Sequence, residues 1–157
     1  MLDRVSATAP AVVLIVEDEL LLRESAVEFV EEAGFVALEA GDADEAVALL
    51  EARSDIAVLF TDINMPGSMD GLKLAHKVRD RWPPIKILVA SGQLRLGPSD
   101  LPSNGIFLGK PYCGEAVIAQ LHLLVDSTGT SIANLTSNTP GRPMSCFAQT
   151  CHGECAQ

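Results

Sequence analysis

The chain has 157 residues, 48% hydrophobic and 20% charged, with a formal net charge of −10 at pH 7. Such a composition is globular, and the length suits one domain with residues to spare. The acidic balance, with no run of Lys and Arg inside it, argues against nucleic acid as a partner, and no apolar run approaches the roughly 20 residues a membrane span needs.

Met1 to Ala9 has no apolar stretch of the kind a signal peptide carries, so a cytoplasmic location is expected. Val12 to Val16 is a five-residue apolar run that reads as a buried strand, ending in Glu17-Asp18-Glu19. From Leu20 to Ala33 the residues Leu22, Ala26, Phe29, Val30 and Ala33 recur at helical spacing, with Gly34 as C-terminal stop. Phe35 to Ala40 is a second strand, and Gly41-Asp42 turns into a helix from Ala43 to Arg53 that Asp42 or Asp44 can cap. Ile56 to Thr61 is a third strand; Asp62 stands where it stops, and Met65-Pro66-Gly67 forces a loop. Asp70 to Trp82 is a helix ended by Pro83-Pro84. Ile85 to Ala90 is a fourth strand closing at Ser91-Gly92, and Ile106 to Leu108 a short fifth one closing at Gly109-Lys110-Pro111. A last helix runs from Glu115 to Val125. Alternation of strand and helix predicts an α/β fold, a parallel sheet with helices on both faces. Between Ser91 and Lys110 the residues Gly97, Pro98, Pro102 and Gly105 interrupt any helical stripe, which predicts a loop or at most a short helix there.

In a parallel sheet all strand ends lie on one edge, where ligands bind in open α/β folds. That edge receives Glu17 and Asp18, Asp62, Ser91 and Lys110 from four different strands. A lone strand-end aspartate is most simply a turn or cap residue. Three converging carboxylates are different, because they repel one another unless a cation neutralises them. Only oxygen donors are present, which selects Mg²⁺ or Mn²⁺ over zinc. A lysine and a hydroxyl beside such a cation suit a phosphoryl group.

Four motifs in order, Val16-Glu17-Asp18-Glu19, Asp62-Ile63-Asn64-Met65-Pro66 with Asp70-Gly71-Leu72, Ala90-Ser91-Gly92, and Lys110-Pro111-Tyr112, each end their own strand. Together they resemble the receiver domains of two-component response regulators, over residues 11–126. The resemblance implies a doubly wound, flavodoxin-like five-stranded sheet of order 2-1-3-4-5. It implies phosphorelay signalling, with Asp62 as phosphoacceptor and a sensor histidine kinase or histidine phosphotransfer protein as donor. It implies that Asp18 and Asp62 bind Mg²⁺ directly, Glu17 through water, and Asn64 through its backbone carbonyl. Ser91 would be the switch hydroxyl, Phe107 the switch aromatic and Lys110 the phosphate-pairing ammonium, and the Lys110-Pro111 bond would be cis.

The segment between Ser91 and Lys110 departs from the family, which usually carries a full fourth helix there. No effector domain is recognisable either, which points to a stand-alone receiver of the chemotaxis-regulator kind acting on a downstream protein, and not to an enzyme. Residues 127–157, rich in Ser, Thr, Asn, Gly and Pro, read as a polar, disordered tail. Cys146, Cys151, His152 and Cys155 within it match no standard zinc or haem spacing, and with Cys113 they form no disulfide framework. Two other readings are a pseudo-receiver that works without phosphorylation and a Mg²⁺-dependent phosphohydrolase with an aspartyl-phosphate intermediate. The latter needs a second Asp two residues after the nucleophile, where this chain has Asn64.

Overall fold

A computed structural model describes residues 9–92, 96–97 and 99–126. In chain order these form β1 (Val12–Val16), α1 (Leu20–Glu32), β2 (Val36–Ala40), α2 (Ala43–Ala52), β3 (Ile56–Asp62), α3 (Gly71–Arg81), β4 (Lys86–Ser91), β5 (Ile106–Gly109) and α4 (Gly114–Asp126). The strands make one parallel sheet in the order β2-β1-β3-β4-β5, the flavodoxin-like arrangement. β1 is an interior strand, and all five of its residues are buried, as a strand covered on both faces requires.

Alternation along the strands divides the core into two layers. Leu14, Val16, Leu59, Ile87 and Val89 face α2 and α3, meeting Ala46, Leu50, Leu74 and Val78. Val13, Ile15, Val58, Phe60, Leu88 and Ala90 face the opposite side, meeting Ala26 and Val30 of α1 and Val117 and Leu121 of α4. Local chemistry fixes where the helices begin and end. Asp42 accepts from the Glu45 amide at 2.8 Å, while Glu45 reaches back to the Gly41 amide, a reciprocal cap that starts α2. Asp70 caps α3 in the same way through the Lys73 amide at 2.8 Å. Gly34, at φ +90°, follows the end of α1 in the left-handed region that favours glycine.

Within the helical stripe of α1, Ala26 and Val30 are buried while Leu22 is 38% exposed. Its spacing matches Ala26 and Val30, but its side chain lines a groove shared with Phe29, Lys110 and Tyr112. The described part of the Ser91–Ile106 connection contains no helix. Leu96 and Leu101 pack on the α2/α3 layer, and Asp100 offers its carbonyl to His76 Nε2 of α3 at 2.7 Å. Residues 127–157, expected as a polar tail, lie outside the described residues, as do 93–95 and 98 of the connection. Among the described residues no helix is long and apolar enough to cross a membrane.

Candidate functional site

The site forms where β1, β3 and β5 release the chain. The Glu17 amide still donates to Ala40 O at 3.2 Å, so the backbone stays on the sheet for one residue beyond β1 and carries the Glu17 side chain inward. Glu17 is 5% exposed, whereas Asp18 projects outward at the start of the loop. The Glu19 amide donates to Glu17 Oε1 at 3.1 Å, and Arg23 of α1 donates from Nη1 to the Glu17 carbonyl at 2.9 Å.

Asp62 ends β3. The loop after it is pinned because Ile63 and Met65 are buried and Ile63 exchanges backbone bonds with Ala90, Met65 and Gly71. Gly71 opens α3 directly against the Asp62 peptide: a Cβ there would collide with the Asp62 carbonyl and lie 2.8 Å from Thr61 Oγ1. From the far side of the sheet, Lys110 follows β5 with its amide donating to Ser91 O at 3.0 Å, and the Lys110–Pro111 bond is cis. Its Nζ lies 3.1 Å from Glu17 Oε2 and 3.1 Å from Asp62 Oδ2.

Glu17, Asp18 and Asp62 each offer a carboxylate oxygen, all within 4.8 Å of one another. Burial pushes the Glu17 carboxyl above its ordinary range, and the bonds from the Glu19 amide and Lys110 do not overcome it. Burial also opposes the charge on Lys110, but hydrogen bonds with Asp62 and Glu17 outweigh it and hold the ammonium above its usual value. The two partners of one bond differ in balance because the Glu17 side chain is 7% exposed and that of Lys110 21%. Burial likewise raises the Tyr112 phenol, which stays neutral beside the charged cluster. An all-oxygen donor set this close fits a small hard cation, which takes few protein ligands and keeps several waters.

The remaining candidates take different places. Ser91 is buried at the end of β4, one residue past the Asp62↔Ala90 pair. Asn64 is exposed, two residues beyond Asp62. Phe107 is 37% exposed; it pairs in register with Val89 and points to the α2/α3 side, away from Ile106 and Leu108. The sequence reading missed Arg23, whose part is played toward a backbone carbonyl, and Thr61, whose hydroxyl is hidden inside an apolar strand. It also missed a groove of ≈ 570 Å³ beside Lys110, lined by Leu22, Phe29, Gly92, Pro111 and Tyr112.

Residues 13–96 match the family described as the response regulator receiver domain. The chain is 34% identical over 122 residues to the transcriptional regulatory protein PdtaR of Mycobacterium tuberculosis, across 76% of this chain but only 58% of that protein. It is 32% identical to the response regulator receiver protein CpdR of Brucella abortus, over 64% of this chain and 84% of that one. Among solved structures, the receiver domain of the hybrid histidine kinase CckA superposes with a TM-score of 0.63 at 28% identity, covering 73% of this chain and 99% of that domain. A receiver protein from Sinorhizobium medicae shares the fold with a TM-score of 0.71 at 24% identity, covering 76% and 97%.

Proposed function

Because the chain belongs to the response regulator receiver family of two-component systems, we propose that it accepts a phosphoryl group on Asp62 and passes on its arrival as a conformational signal. The observation that carries this is the convergence of Asp62 with Lys110 at 3.1 Å and with Glu17 and Asp18 within one cation-sized cluster. The Asp62 carboxylate attacks phosphorus in line, the bond from phosphorus to the donor breaks, and its electron pair leaves with the donor group. When the donor is a phosphohistidine, the released imidazole takes up a proton. Lys110 faces the oxygens that arrive and offsets their charge. Glu17, Asp18, Asp62 and the Asn64 carbonyl would hold Mg²⁺, or Mn²⁺ in its place, which supplies further neutralisation of the phosphoryl oxygens when bound.

Ser91 and Phe107 are proposed as the switch pair, Ser91 as donor to the new phosphoryl oxygens and Phe107 as the aromatic that follows it. The module would act on no outside substrate; its output would be a changed surface. Leu22, exposed at 38%, lines the groove beside Lys110, and Leu20 and Leu21, exposed at 55% and 70%, precede it in the first turn of α1. An apolar rim next to the acceptor favours a protein as phosphodonor, a histidine kinase or phosphotransfer protein, over a small molecule. We place the receiver at residues 11–126, in the cytoplasm.

Incubation with acetyl phosphate tests the reading. The wild type should gain one phosphoryl group only when Mg²⁺ is present, and Asp62→Asn should gain none. Uptake by Asp62→Asn equal to that of the wild type would reject Asp62.

A further inference from the structure

Thr61 is fully buried, yet polar, at the end of the apolar run Ile56-Ala57-Val58-Leu59-Phe60. A hydroxyl in such a place costs free energy unless it is hydrogen-bonded. Its Oγ1 donates to the carbonyl oxygen of Asp62 at 2.9 Å. The β1–β3 register ends at Val16↔Thr61, so Asp62 stands one residue beyond it. The same carbonyl is covered from the α3 side by Gly71, where no side chain would fit. Thr61 from within β3 and Gly71 from α3 thus converge on one carbonyl, that of the residue whose side chain is the Asp62 carboxylate. The fold itself has no need of this hydroxyl: valine has the same shape, is favoured in strands and would bury more apolar surface.

We propose that Thr61 is a positioning residue, whose hydroxyl fixes the Asp62 peptide and so aims the Asp62 carboxylate at the cation cluster and Lys110. The phosphoryl side of this inference rests on Asp62 being the acceptor; the cation side does not. Small misplacements of a reacting group are costly because the approach geometry is narrow. Thr61 would act only through Asp62, without touching the phosphoryl group.

The test compares wild type, Thr61→Val and Thr61→Ser in three measurements: Mg²⁺ affinity by amide shifts, the initial rate of phosphorylation by acetyl phosphate, and Tm. Thr61→Val should keep its Tm within a few degrees of wild type. It should lose about 3- to 10-fold in both Mg²⁺ affinity and phosphorylation rate, the range a single hydrogen bond supports. Thr61→Ser, which restores the hydroxyl in a smaller side chain, should recover both even if its Tm is lower. Should Thr61→Val fail to fold, Thr61→Cys keeps a side chain with only a weak donor and should show the same losses. Wild-type values for the valine variant in both assays, or equal losses in valine and serine variants, would overturn the proposal. If the wild type binds Mg²⁺ but takes no phosphate, the acceptor reading fails, and the Mg²⁺ comparison alone still decides for or against Thr61.

Discussion

Lys110 and Glu17 stand 93 residues apart in the chain and meet through Nζ and Oε2 at 3.1 Å. The bond joins the ends of β1 and β5, two strands with β3 and β4 between them. Because the same Nζ also touches Asp62, the ammonium sits between two carboxylates that would otherwise repel each other. A cation binding at this cluster therefore competes with a charge that the protein already supplies.

Removal of Lys110 should reverse that competition. Lys110→Met leaves Glu17 and Asp62 without their cation and should lower stability in metal-free buffer by about 1–3 kcal/mol, less than for a fully buried pair because the site is partly open. Added Mg²⁺ should stabilise the variant more than the wild type. Urea denaturation with and without Mg²⁺ reads both quantities, and a smaller Mg²⁺ gain in the variant would contradict the competition.

The pH dependence follows from Glu17. Its folded pKa is raised, so the folded protein binds the proton more tightly than the unfolded chain does. The stability this contributes is present below the unfolded value of 4.5 and is lost as pH rises through the folded one. Lys110 is raised above 10.5, so its own contribution persists through neutral pH and does not obscure this window. In chelator-treated buffer, the stability of Glu17→Gln relative to wild type should therefore increase between about pH 4 and pH 7. A difference that stays flat across that range would show that burial does not penalise the Glu17 charge.

Gly71 gives a test with a sign. Alanine in place of a helical glycine ordinarily gains about 1 kcal/mol. Here the new Cβ would run into the Asp62 carbonyl, and overpacking against fixed backbone costs about 1–3 kcal/mol or more. The clash should win, with Gly71→Ala lowering Tm and shifting the amides of Asp62 and Ile63. A rise in Tm would mean that α3 and the Asp62 peptide move apart freely.

The bond between His76 and the Asp100 carbonyl ties part of the β4–β5 connection to α3. His76→Ala should speed amide exchange in residues 101–105 while leaving β3 and α2 as protected as before. Unchanged exchange in 101–105 would show that Leu101 packing holds the segment without the histidine.

The strand ends were legible in the sequence because each is a short apolar run that stops at a polar residue, and parallel topology then puts the stops on one edge. Glu17, Asp18, Asp62 and Lys110 meet there. Leu22 shares the helical spacing of Ala26 and Val30 yet is exposed, because periodicity reports a face but not what covers each turn of it. Arg23 and Thr61 left no signal, since both act on backbone carbonyls and the value of such a bond depends on which peptide it reaches. The Asp42 cap was recognisable but shared with Asp44 as an equal choice. The folded geometry gives the cap to Asp42, while Asp44 accepts from Ser68 of the β3–α3 loop at 2.7 Å.

The position of the phosphoryl group can be read directly. After acetyl phosphate and Mg²⁺, borohydride reduction converts an acyl phosphate into a stable alcohol whose position peptide mass spectrometry can read. Phosphorylation of Asp62 predicts a reduced residue there and at no other carboxylate, absent when Mg²⁺ is chelated. Reduction at Asp18 or Glu17 instead, or no reduced residue under conditions that phosphorylate a control receiver, would contradict it.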